Sequence, residues 1–261
     1  MTLVHLSDLH FGTENLACLE AIQHFCQIQR PEVIVVSGDL TQRARSKQFI
    51  SCKAFLDSLS CPYFVVAGNH DIPLFHLWRR LFRPFAGYQK YFAALEPVLE
   101  TEHFYLIGLN SIRPYYHSKG AISQSQIARV KQCLQYAPQN KLKLVVSHQP
   151  FITQYSKHHR HDAPRLARAA IAQWQDYDLF AVLHGHLHQI ACYDLKQEYN
   201  LDCAQPIFSL LAGTATSTRH YQQQANSFNV VLKNGCIQHY VFDPLRAEFL
   251  LHVPPLLSSV L

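Results

Sequence analysis

The chain is 261 residues long, enough to bury one substantial core without a second domain, and no linker, repeat or low-complexity tract divides it. Its formal charge of +5 is modest and spread out, so it argues for no nucleic-acid surface while suiting an anionic small ligand. No uninterrupted apolar stretch is long enough to span a bilayer.

In chain order, short apolar runs alternate with helical patterns. The N-terminus passes straight into a strand at Leu3–Leu6, without the basic segment, apolar core or cleavage site of a signal peptide, so cytoplasm is the expected compartment. Leu16, Leu19, Ile22, Phe25 and Ile28 then follow helical spacing. A strand at Val33–Val36 comes next, then a helix through Phe49, Cys52, Phe55, Leu56 and Leu59, then a strand at Tyr63–Val66. Further runs stand at Phe104–Leu109, Leu142–Val146 and Leu179–Leu183, the last with the weakest β character. Runs this short and this rich in β-branched or aromatic residues are strands, and the helices between them would cover a sheet. The eight cysteines lack CxxC spacing and read as small hydrophobes; Cys18 and Cys133 sit within helical patterns, and Cys192 lies just beyond a strand.

Five polar signatures follow the apolar runs: Asp8-Leu9-His10, Gly38-Asp39, Gly68-Asn69-His70-Asp71, Ser147-His148 and Gly185-His186-Leu187-His188. In an extended chain, alternation would send Asp8 and His10 to one face, and His186 and His188 likewise. Asp39 suits a position between two cations, because one carboxylate can contact both. Asn69 offers a carbonyl oxygen and His148 a further nitrogen. Seven nitrogen and oxygen donors without cysteine suit Mn, Fe, Zn or Mg rather than a thiolate site. The glycines just before ligands allow positive φ or close backbone approach. Ligands of open α/β sheets gather beyond the carboxyl ends of the strands, so all five signatures are expected on one rim.

In this order the signatures resemble those of the calcineurin-like metallophosphoesterases, over roughly residues 1–245. The resemblance implies a four-layer αββα sandwich of two mixed β-sheets flanked by helices, followed by an apolar tail at 246–261. It implies two divalent ions, one held by Asp8, His10, Asp39 and His188, the other by Asp39, Asn69, His148 and His186. It also implies hydrolysis of a phosphodiester by a metal-bridging hydroxide, with His70 assisting the leaving oxygen and His10, Asp39, Asn69, His70 and His188 meeting the substrate. Asp71 is expected either to orient His70 through a hydrogen bond or to serve as a cap or turn former. The layout is similar to that of the bacterial class III cyclic-nucleotide phosphodiesterases. The alternatives are a pyrophosphohydrolase of a nucleotide-linked lipid, a nuclease, for which no basic cleft or added domain is visible, and a non-catalytic scaffold.

Three stretches lie outside this pattern. In Pro73–Phe92, Leu74, Leu77, Trp78, Leu81, Phe82, Phe85, Tyr88 and Tyr91 interleave with Arg79, Arg80, Arg83 and Lys90. The expectation is a helix, broken or kinked at Pro84, packing its apolar stripe inward; the alternative is a greasy basic flap that takes an acyl chain or touches a membrane surface. Tyr155–Arg165, with His158, His159, Arg160 and His161, reads as a polar lid rather than a third metal site. Arg113, and Arg219 with His220 and Tyr221, are candidates for substrate contact. The tail, Phe249 to Leu257, either packs on the body or covers a partner subunit in a homodimer.

Overall fold

The computed structural model describes residues 1–153, 163–219 and 224–252. The expected lid at 155–165 therefore lies outside the described residues up to 162, as do His220, Tyr221 and the tail beyond 252. The chain begins β1 (Thr2–Leu6), α1 (Leu16–Gln29), β2 (Val33–Val36), α2 (Ser46–Ser58), β3 (Tyr63–Val65), α3 (Leu77–Phe82) and α4 (Ala86–Phe92). It continues β4 (Val98–Glu100), β5 (Phe104–Gly108), α5 (Gln124–Tyr136), β6 (Leu142–Val146), α6 (Ala167–Trp174) and β7 (Leu179–His184). The last part is β8 (Ala191–Asp194), α7 (Leu195–Tyr199), β9 (Phe208–Leu211), β10 (Ser227–Leu232), β11 (Ile237–Asp243) and β12 (Glu248–His252).

Two six-stranded sheets result, ordered β12-β11-β10-β1-β2-β3 and β4-β5-β6-β7-β9-β8. Both are mixed. β1, β2 and β3 run parallel while β10 pairs antiparallel with β1; β5, β6, β7 and β9 run parallel with antiparallel edges. Alternation explains why the central strands read as continuous apolar runs. Val33 and Val35 of β2 point into the core between the sheets with Leu144 and Val146, whereas Ile34 and Val36 point to the layer beneath α1 and α2. A third core packs α5 and α6 on the second sheet through Ile127, Val130, Leu134, Ile171 and Trp174. The order is thus helices, sheet, sheet, helices.

Two expectations change. Glu248–His252 is not tail but the edge strand β12, paired to β11, and its Phe249 lies in the core beneath α1. The cysteines divide: Cys18, Cys26, Cys52 and Cys203 are buried, whereas Cys192 and Cys236 are exposed; all eight are free thiols.

Behind the rim lie two buried histidines, His5 on β1 and His184 on β7, the latter with its ring centroid 5.1 Å from that of Phe151. The Asn229 amide nitrogen stands 3.3 Å from His5 Nδ1, so Nε2 carries the proton and donates to Ser37 Oγ at 2.9 Å. Burial lowers both His5 and His184 from the ordinary 6.5 to about 3. Below pH 6.5 the unfolded chain takes up protons that the folded one refuses. Stability from each imidazole is therefore complete above about 6.5 and falls as pH drops toward 3, at up to about 1.4 kcal/mol per pH unit. Urea unfolding between pH 7 and 5 should show this loss, and His5→Gln should remove about one proton from the slope; a pH-independent stability would contradict the neutral buried state.

Candidate metal centre

The rim residues leave their strands where both sheets end. Asp8 and His10 follow β1, Asp39 follows β2, Asn69 and His70 follow β3, His148 follows β6, and His186 and His188 follow β7. The parallel β1–β2 pairing persists into the loops: Asp8 N–H donates to Gly38 O at 3.1 Å and His10 N–H to Asp39 O at 2.9 Å. Strand alternation is not what gathers the side chains, contrary to expectation. Asp8, His10, Asp39, His186 and His188 all have φ between 48° and 72°, in the left-handed region that non-glycine residues seldom occupy. Each such residue costs on the order of 1–2 kcal/mol, a strain that surrounding structure must hold in place.

The resulting donor atoms form two groups with Asp39 between them. On one side His10 Nε2 and His188 Nε2 stand 3.0 Å apart, and Asp8 Oδ1 lies 3.2 Å from His188 Nε2 and 3.6 Å from His10 Nε2. On the other, His148 Nε2 lies 3.1 Å from Asn69 Oδ1 and 3.3 Å from His186 Nδ1. Asp39 turns one oxygen to each group, Oδ2 at 3.7 Å from His10 Nε2 and Oδ1 at 3.4 Å from His148 Nε2. The residues fit a pair of divalent cations. Asp8 Oδ1 is buried and accepts no hydrogen bond among the described residues, and donor atoms of Asp8, His10 and His188, and of Asp8, Asp39 and His148, lie within 4.8 Å of one another.

Backbone carbonyls set the imidazole orientations. His148 Nδ1–H donates to Ser37 O at 2.9 Å and His188 Nδ1–H to Arg219 O at 3.2 Å, which turns each Nε2 toward the centre. Burial alone would raise the Asp8 carboxyl, yet the facing His188 holds it well below the usual range, and Asp39 is likewise lowered by His148. Burial lowers His10, while Asp39 overrides burial at His148 and pushes it up to about 9.

Close approach explains two of the glycines. A Cβ on Gly185 would sit 1.7 Å from Ser7 Oγ and 2.3 Å from Asp8 Oδ2, and one on Gly68 would sit 2.1 Å from Asp39 N.

His70 stands beside the first group, its ring centroid 4.8 Å from that of His10. Its Nδ1–H donates to Gln42 O at 2.9 Å, leaving Nε2 as the available nitrogen. Asp71 does not orient it. The Asp71 carboxylate is turned inward and accepts from Leu40 N, Thr41 N, Thr41 Oγ1 and Gly68 N at 2.8–3.1 Å, stitching the Asp39 loop to the Asn69 loop. Burial and the Asp39 charge push its carboxyl up to about 6. It is the turn former of the two expectations.

Arg113 is anchored to the body: its guanidinium donates to Asn110 O, Ile112 O and Gln126 Oε1, which binds the loop to α5. The hydrogen bond of Arg219 at the centre comes from its carbonyl, on His188, and its side chain is exposed. Three groups of supporting residues were missed in the sequence. Ser7 Oγ donates to Asp8 Oδ2 at 2.6 Å, and Thr214 and Thr216 donate to the carbonyls of Asp8 and Leu9 at 2.7 Å. Gln42 acts through its carbonyl, which every residue type possesses. Only the Ser-Asp adjacency was readable in advance.

Two sheets that meet at a rim with Asp39 between two groups of donor side chains, and a histidine beside them, suit a dinuclear phosphoesterase. The chain belongs to the calcineurin-like phosphoesterase family, whose model matches residues 1–190. A probable cyclic nucleotide phosphodiesterase of Synechococcus sp. is 26% identical over 203 residues, 72% of this chain and 74% of the relative. A probable glycerophosphodiester phosphodiesterase of Arcobacter nitrofigilis is 24% identical over 163 residues, 58% of each chain. Among solved structures, the purple acid phosphatase PPD1 of yellow lupin superposes with a TM-score of 0.73 at 10% identity, over 96% of this chain and 52% of that one, a likeness of fold.

Replacing Asp71 by Asn would leave buried N–H donors facing an amide. Asp71→Asn should cost roughly 3 kcal/mol in urea unfolding and lower metal content in parallel. Activity per bound metal should stay near wild type; an unchanged stability with a collapsed turnover would instead make Asp71 catalytic.

Proposed function

We propose that the protein is a phosphodiesterase of small diesters, cyclic nucleotides foremost. Asp8, His10, Asp39 and His188 would hold one divalent ion, and Asp39, Asn69, His148 and His186 the other. The absence of thiolate among these donors favours Mn, Fe, Zn or Mg. The observation that carries the reading is the two-sided Asp39 carboxylate with His70 next to it, a donor atom of His70 within 4.8 Å of His10 and Asp39.

Two bound cations supply charge to neutralise phosphoryl oxygens and acidify water. The remaining work belongs to the chain. His70 is held by Gln42 O with Nε2 available, and as an imidazolium it would give that proton to the departing oxygen. Asn69 and His70 border a small pocket completed by Gln42, Arg43, Ile72, Leu74, Arg80 and His117, whose size and basic lining suit a compact anionic substrate. Both relatives carry phosphodiesterase names, one of them for cyclic nucleotides. A lipid-linked pyrophosphate is the second reading, favoured by the apolar face next to this pocket.

Leaving groups provide the test. p-Nitrophenolate departs without a proton, whereas the ribose oxygen of cyclic AMP needs one. His70→Ala should therefore retain its metals, lose about 10²–10⁴-fold on cyclic AMP, and lose far less on bis(p-nitrophenyl) phosphate. Equal losses on both substrates would remove His70 as the acid. Diester cleavage by the wild type without cyclic AMP turnover would shift the assignment to the lipid-linked pyrophosphate.

A further inference from the structure

The segment after the catalytic loop is built inside out. Surface helices normally bury their apolar stripe, and the second half of 73–92 does so: Tyr88 is buried with its hydroxyl donating to Val65 O, and Phe85, Tyr91 and Phe92 pack on the core beneath α2. The first half does the reverse. Arg80 holds α3 to the body by donating to Pro114 O, Pro73 O and Tyr116 O at 2.6–3.0 Å. Leu77, Trp78, Leu81 and Phe82, at positions i, i+1, i+4 and i+5, face solvent instead, with Phe75 just before them. These five side chains are each between 61 and 82% exposed. Tyr115 and Tyr116, on the loop that Arg80 grips, are exposed as well. Seven of the fifteen exposed large apolar side chains among the described residues thus belong to one lip.

Charge distinguishes what this lip fits. No aspartate or glutamate occurs from Ile72 to Leu95 or from Leu40 to Leu56, whereas Arg43, Arg45, Arg79 and Arg83 are all present and exposed. Arg43, Arg45, Arg79 and Phe75 line a groove of about 310 Å³ between the start of α2 and the lead-in to α3. Arg43 is also cationic over the Phe75 ring, 5.7 Å from its centroid. Two copies meeting through this face would bring like charges together, a repulsion that argues against a symmetric self-contact. A protruding apolar ridge with aromatic shoulders and arginines around it matches an anionic bilayer surface, where side chains enter the acyl boundary and guanidinium groups meet phosphates.

We propose that α3, its lead-in and the Tyr115–Tyr116 loop dock the enzyme on anionic phospholipid, which sets the pocket beside His70 at the lipid–water boundary. Among the described residues no helix is long and apolar enough to cross a membrane, so the association would be peripheral. The inference takes from the proposed function only the position of the mouth, and lipid binding is measured without turnover.

The chain carries its own probe. Of its two tryptophans, Trp174 is buried with Nε1–H donating to Ile127 O, while Trp78 stands on the lip. Vesicles of phosphatidylglycerol and phosphatidylethanolamine should blue-shift the emission of the metal-loaded full chain, and brominated acyl chains should quench it. Phosphatidylcholine vesicles should do neither, and added salt should weaken the effect. Leu81→Asp/Phe82→Asp should lower vesicle partition tenfold or more, and Arg79→Ala/Arg83→Ala should lower it and flatten its salt dependence. Both variants should keep wild-type turnover of bis(p-nitrophenyl) phosphate, which certifies their fold and leaves the diesterase reading intact. No shift with anionic vesicles, partition unchanged in the Asp variant, or a dimer in light scattering that this variant dissociates would each overturn the proposal.

Discussion

Everything at the rim depends on Asp39 being reached from both sheets. Its carboxylate sits between His10, delivered by β1 of the first sheet, and His148, delivered by β6 of the second, at 3.7 and 3.4 Å. Two carboxylates and four imidazoles in so small a buried volume are electrostatically costly unless cations balance them. The inter-sheet core of Leu3, Val35, Val66, Leu144, Val146 and Leu183 supplies the rigidity that keeps these groups together. The left-handed rim residues show where that rigidity is used. The strained backbones of Asp8, His10 and Asp39 are held by the continuing β1–β2 ladder and by Thr214 and Thr216 on the Asp8 loop, and His186 N–H donates to Asp8 Oδ2.

The fold was legible because its strands are covered on both faces. Runs such as Val33–Val36 and Leu142–Val146 coincide with β2 and β6, since buried parallel strands tolerate little else. The gathering of the seven candidate donors on one rim was also readable, because each follows the carboxyl end of a strand. How they converge was not readable. Strand alternation predicts the right neighbours for the wrong reason, since the φ values of Asp8 and His10 depend on tertiary contacts made by residues over two hundred positions away.

Contacts made by backbone were the other blind spot. Gln42 orients His70, Ser37 orients His148 and Arg219 orients His188, all through carbonyls, so side-chain identity held no record of these roles. Asp71 and Arg113 show the opposite case, charged side chains whose partners the sequence did not name. Their charges suggested chemistry, but each is used to saturate nearby backbone or amide groups. The 73–92 stretch divides at Pro84: helical spacing identified its apolar residues, but only the grip of Arg80 reveals which way the first half faces.

The proposed bridging role of Asp39 is tested most directly by electron paramagnetic resonance of the protein loaded with Mn²⁺. A carboxylate shared by both ions should give an exchange-coupled dinuclear spectrum, which Asp39→Ala converts to an uncoupled one. Two independent mononuclear signals in the fully loaded wild type would contradict the shared site.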